Sequence, residues 1–135
     1  METDSQEPRR HMLKRSGKGN PPLVFQGILI AEVTGPNYSD AKRWHDLRLY
    51  RTVNQRYVVE IVLVKAIAGQ KSHHSAVMVE DLTEAREAFY SHDPMQGIDF
   101  PNKPSFEQRS KKLAEALGPV YRERVDMLFK SIISS

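Results

Sequence analysis

From Leu23 to Glu80 apolar and polar positions alternate in short runs, whereas from Asp81 onward they recur every three to four residues. The first pattern is that of strands, which send successive side chains to opposite faces, and the second that of helices. Two runs, RWHDLRLYRT and RYVVEIVLVKA, lie back to back with only Val53, Asn54 and Gln55 between them. Both are rich in β-branched and aromatic residues, so they predict a long hairpin within Arg43–Ala66. A three-residue loop pairs positions whose numbers sum to 108. Leu47 then faces Ile61, Leu49 faces Val59, Tyr50 faces Val58, and Arg48 lies opposite Glu60, a favourable charge pair. Shifting the register by one sets Leu49 against Glu60 and Arg48 against Ile61, so the first register is preferred. The loop has no glycine, and Asn54 is the residue expected to take any positive φ.

That register gives Leu47, Leu49, Tyr57, Val59, Ile61 and Leu63 one face, expected to be core. Trp44, Asp46, Arg48, Tyr50, Val58, Glu60 and Val62 share the other. The Arg56–Ala66 run is apolar on nearly both faces, as suits a central strand with cover on each side. A further strand is expected at Leu23–Val33, with Phe25, Leu29, Ala31 and Val33 on one face and Gln26 and Glu32 on the other. Gly27 marks a bulge or a close backbone approach within it. A fourth strand follows at Ser75–Glu80.

Asp81 is an N-cap candidate for a helix through Tyr90, with Glu84 at the reciprocal capping-box position and Leu82, Ala85, Ala88 and Phe89 on its apolar stripe. After a proline-rich connection, Ser105 opens another helix, with Phe106, Leu113, Ala114 and Leu117 on one side. Gly118-Pro119 reads as the stop of that helix and the start of a last one, whose stripe is Tyr121, Val125, Leu128, Phe129 and Ile132. The expected fold is therefore α+β: a four-stranded antiparallel meander over 23–80, then two to three C-terminal helices over 81–135. Residues 1–22, nearly free of apolar side chains and ending in Pro21-Pro22, are expected to be a disordered basic tail outside this single domain.

Composition narrows the function more by exclusion than by assignment. The chain has 135 residues, enough for one domain with a real core, and no cysteine, so disulfides, thiolate metal sites and cysteine nucleophiles are ruled out. No apolar run approaches a membrane span and no signal-like leader opens the chain, so no membrane partner is expected and the cytoplasm is the default location. Net charge is +3. Residues 1–22 carry five Lys/Arg against three acids, 23–80 seven against five, and 81–135 eight against nine, so the positive excess lies in the tail and the sheet. Such a distribution permits a polyanionic partner.

Catalytic and metal motifs are missing. His73 and His74 are adjacent and point to opposite faces of a strand, which does not suit one metal. His92-Asp93 precedes Pro94 and reads as a turn, and His45 has the parity of the core. Gly17-Lys18-Gly19 lacks the spacing, the preceding strand and the Ser/Thr of a phosphate loop. No nucleophile has an evident base partner, and the reading leans away from an enzyme; neither cofactor nor metal is expected.

The candidate site is instead Trp44, Arg48 and Tyr50, alternating on one sheet face, with Lys42, Arg43, Arg51 and Arg56 around the ends of the hairpin. Arg9, Arg10, Lys14, Arg15 and Lys18 of the tail would add phosphate contacts. Rings on a sheet can stack on unpaired bases while arginines hold phosphates. The alternative is that the helices cover this face, making Trp44 and Tyr50 core. Two functions are carried forward: a small nucleic-acid-associated accessory protein, with single-stranded nucleic acid as partner, or a protein-interaction module or homo-oligomer using a sheet edge or the last helix.

The stretches FQGILIAEV and RWHDLRLYRTVNQRYVVEIV resemble the strand region of the bacterial EXLDI family, through an aromatic-Gly strand and a YRT-turn-aromatic-Val-Val hairpin. The likeness covers under a third of the chain, which ends SIISS where that family carries its terminal EXLDI sequence. It implies a bacterial or mobile-element origin and no particular activity.

Overall fold

The computed structural model describes residues 7–100 and 103–133. Five strands come first: β1 (Arg9–Leu13), β2 (Leu23–Val33), β3 (Arg43–Thr52), β4 (Tyr57–Lys65) and β5 (His73–Val79). Two helices follow, α1 (Leu82–Ser91) and α2 (Pro104–Ile133). The strands form one antiparallel sheet in chain order. The chain is thus α+β, with five strands where the sequence suggested four.

The central hairpin has the expected register, with Leu47 opposite Ile61, Arg48 opposite Glu60 and Tyr50 opposite Val58. Its turn differs in one residue. The positive φ, 67°, falls on Gln55 and not on Asn54. The Gln55 amide bonds the Thr52 carbonyl at 3.0 Å, so Val53 and Asn54 are the two central residues of a β-turn and Gln55 is the residue that returns the chain to the strand. In a three-residue hairpin loop that last position is the left-handed one. Thr52 Oγ1 accepts from the Arg56 amide at 3.0 Å and closes the turn.

The additional strand lies inside the expected tail. Arg9–Leu13 pairs with Leu23–Gly27, His11 opposite Phe25 and Leu13 opposite Leu23. Its polar composition hid it: two of its five residues are arginines, and only His11 and Leu13 turn inward. Residues 1–6 of the expected tail lie outside the described residues.

The sheet is rolled. Ser16, just past β1, donates its amide to the His74 carbonyl at 2.8 Å, and the His74 amide donates to Ser16 Oγ at 2.8 Å. In a flat five-stranded sheet the outer strands would stand roughly 19 Å apart. Curling brings side chains of all five strands into one inner cluster: Leu13, Phe25 and Leu29, Tyr50, Val58, and Ala76 with Met78. The helices cover the opposite face, where Leu47, Leu49, Val59 and Ile61 meet Ala85 and Phe89 of α1 and Tyr121, Val125 and Leu128 of α2.

A bulge in β2 serves both clusters. Leu29 pairs with Tyr50 and Ala31 with Leu49, so Ile30 is the extra residue and the alternation flips there. Phe25 and Leu29 consequently belong to the inner cluster while Ala31 and Val33 face the helices, not one shared face as the plain alternation implied. Gly27 is the close approach rather than the bulge: a β-carbon there would lie 2.4 Å from the Arg51 carbonyl oxygen.

Asp81 caps α1, its Oδ1 accepting from the Glu84 amide at 2.8 Å, and Glu84 in turn accepts from the Glu80 amide at 2.9 Å. The break expected at Gly118-Pro119 is absent, since α2 runs through it for 30 residues, about 45 Å. Proline deprives the helix of one amide donor, and its ring crowds the preceding residue. Here that residue is a glycine, and Pro119 and Glu115 are both exposed, so the freed carbonyl can be hydrated. Beyond the proline, Tyr121, Val125 and Leu128 seat the helix on the sheet.

A left-handed conformation costs a non-glycine residue about 1–2 kcal/mol, part of which glycine returns as entropy. Gln55→Gly is therefore expected to raise the unfolding free energy by about 0.5–1 kcal/mol in denaturant titration, while Asn54→Gly is expected to lower it.

Candidate functional site

The inner face of the rolled sheet carries an ordered polar layer on top of its apolar cluster. Arg48 lies between two carboxylates, its Nε 3.1 Å from Glu32 Oε1 and its Nη1 3.6 Å from Glu60 Oε1. Tyr50 Oη donates to the same Glu60 oxygen at 3.1 Å. Tyr50 and Glu60 are only 5% and 7% exposed. Burial first, and repulsion from Glu60 second, push the Tyr50 hydroxyl pKa up, so it stays a donor. His11 fits above it, 4.8 Å from the Tyr50 ring and 5.1 Å from Phe25, and its Nε2 donates to the Gly27 carbonyl at 3.1 Å.

This arrangement separates the three residues the sequence placed together. They share a face, but they do not form an open stacking platform. Tyr50 is core, covered by β1 side chains and not by the helices, and Arg48 is held by Glu32 and Glu60. Trp44 is half-buried at the start of β3, its Nε1 donating to Asp46 Oδ1 at 3.0 Å, an oxygen that also accepts from the Gly35 amide at 2.9 Å. β1, in the segment expected to be tail, closes the face.

The remaining expected cations lie elsewhere. Arg56 pairs with Glu80 at 3.1 Å and Arg51 is exposed beside the turn. Arg43 is half-buried at the opposite end of the hairpin. Arg9, Arg10, Lys14 and Lys18 are exposed along β1 and the turn after it, while Arg15 is half-buried and donates from Nε to the Pro21 carbonyl at 2.9 Å. Where the two outer strands meet there is a groove of about 790 Å³ whose walls include Lys14, Arg15, Ser16, Lys71 and His74. Among the described residues no acidic side chain lines it, and none occurs in the sequence between Pro8 and Ala31. Burial, followed by Lys14, lowers the pKa of His74. The sequence identified these cations without their neighbour Lys71, which lies in the β4–β5 loop and joins them only because the sheet rolls.

No protein-family model matches the chain, and no curated protein or solved structure shows significant similarity to it.

The histidines form a second titratable group. His45 is 2% exposed, 4.8 Å from the Tyr121 ring, and its Nε2 contacts the Pro94 carbonyl at 3.1 Å. Burial, then repulsion from His92, lowers its pKa to about 4. His73 and His74 do project to opposite faces, opposite Leu63 and Val62. Asp93 forms the turn expected before Pro94, accepting from the Met95 amide at 2.9 Å.

Because the folded state resists protonating His45 and the unfolded state does not, stability falls as pH drops from about 6.5 towards 4. The loss is about 2 kcal/mol by pH 5 from this residue alone. Burial lowers the pKa values of His92, His73 and His74 as well and adds to the same slope. Chemical denaturation from pH 7.5 to 5 is expected to show this loss, and His45→Gln to flatten it. An unchanged slope in the variant would assign the effect elsewhere.

Proposed function

We propose that this protein is a non-enzymatic, nucleic-acid-associated accessory protein whose contact is electrostatic. The contact runs along the basic edge formed by β1, the turn after it and the β4–β5 loop. The observation that supports this reading is the groove walled by Lys14, Arg15 and Lys71, with exposed Arg10 and Lys18 nearby in the sequence and, among the described residues, no acidic side chain in its lining. Phosphates are the ligand such an array favours. Since Tyr50 is enclosed and Arg48 is paired, little base stacking is expected, and the binding should be tolerant of sequence.

A second reading, self-association or docking of another protein, has its own support. Met12 and Val24 face each other across β1 and β2 and are 59% and 42% exposed, an apolar pair at the rim of the sheet beside an unpaired strand edge. The last helix does not serve this reading, because its stripe is already packed on the sheet.

Fluorescence anisotropy with a labelled single-stranded oligonucleotide, titrated at increasing salt, tests the first reading. Binding is expected at low salt, with a logarithmic slope that loses about 2 when Arg10, Lys14 and Lys18 are all changed to Gln. Affinity should drop at least tenfold while the melting temperature holds. No binding at low salt, or an unaltered slope in the triple variant, would overturn the proposal. Light scattering of the same preparation decides the second reading, which a strict monomer with no protein partner would not support.

A further inference from the structure

Position 124 lies on the buried stripe of α2, next to Val125 and one turn from Tyr121 and Leu128, where an apolar residue would be expected. Instead it is an arginine, 5% exposed. Its Nε and Nη2 are buried and, among the described residues, meet no hydrogen-bond acceptor. Asp46, an acid that acts on it electrostatically, has its Oδ1 engaged by Trp44 and Gly35. An unsatisfied guanidinium in a packed layer is costly, and an apolar side chain of similar volume would be at least as stable. Stability alone does not explain it.

Arg124 lines a cleft of about 530 Å³ between the start of β3 and the middle of α2. Arg43 lines it too, and its Nε is likewise buried without an acceptor. Much of the remaining wall is apolar: Leu113, Leu117 and Val120 on the helix, with Trp44 lining the cleft at the start of the strand. The volume is that of a small-molecule site, and a few polar groups on an otherwise apolar wall are its usual chemistry.

We infer that this cleft binds a small organic monocarboxylate with an aliphatic or aromatic body, its carboxylate on Arg124 and its body against the helix. A planar guanidinium offers a carboxylate two parallel hydrogen bonds. Asp40 and Lys42 also line the cleft and offset one another, which leaves the Arg124 guanidinium to meet a single carboxylate. The site goes beyond the nucleic-acid reading and shares no residue with the basic edge, so either can fail alone.

Trp44 is the only tryptophan in the chain and lies in the cleft wall, so its emission reports occupancy directly. Sodium octanoate, added to the full-length protein, is expected to shift that emission saturably, with one site by calorimetry. Octan-1-ol and inorganic phosphate should each bind at least tenfold more weakly. Arg124→Met is expected to weaken octanoate at least tenfold while keeping or raising the melting temperature. Val120→Glu, a partly exposed position in the wall, places a competing carboxylate there and should weaken octanoate similarly; it decides the matter if the arginine variant does not fold. Equal affinity for octanoate and octanol, phosphate binding as tight as octanoate, no saturable response, or full octanoate binding in the folded variants would each overturn the inference.

Discussion

β4 is covered on both faces, and the rest of the molecule follows from that. Val58, Val59, Glu60, Ile61, Val62 and Leu63 are all buried. Val59 and Ile61 belong to the cluster under the helices and Val58 to the cluster inside the roll. A strand of this kind tolerates no register slip, because a shift of one residue exchanges the two sets of side chains. With β4 fixed, Leu47 and Leu49 of β3 must face the helices and Tyr50 must face inward. The sheet can satisfy the inner set only by curling until β1 and β5 approach each other.

The inner face also contains an acid that would be costly to bury alone. Glu60 is retained because Arg48 and Tyr50 both reach it from the neighbouring strand, and Glu32 shares the arginine. Arg48 and Tyr50, which looked available for a ligand, are thus both engaged by Glu60. Among the described residues, the buried guanidinium nitrogens without an acceptor belong to Arg124 and Arg43, which line the cleft beside α2 on the other side of the sheet.

Much of this was legible in the sequence, for identifiable reasons. The hairpin register followed from matching hydrophobic positions plus one charge pair, and the Asp81 cap from residue chemistry. What was not legible depended on contacts between distant segments. β1 has two inward residues in five, too weak a period to detect, and its strand character comes from pairing with β2. Ile30 interrupts the alternation without a glycine to announce it. Gly118-Pro119 carries the local signature of a stop, yet packing of Tyr121 and Val125 on the sheet outweighs it. That Arg124 Nε and Nη2 lack an acceptor among the described residues can be known only once their surroundings are.

The rolled sheet is tested most directly by joining its two edges. The chain contains no cysteine, so Ser16→Cys with His74→Cys introduces a single pair. A disulfide needs Cα atoms about 4.4–6.8 Å apart. The structure predicts rapid, near-complete closure under mild oxidation, seen as a faster-migrating monomer on non-reducing electrophoresis. Failure to close in the folded double variant, with both thiols remaining reactive or linking only between molecules, would contradict it.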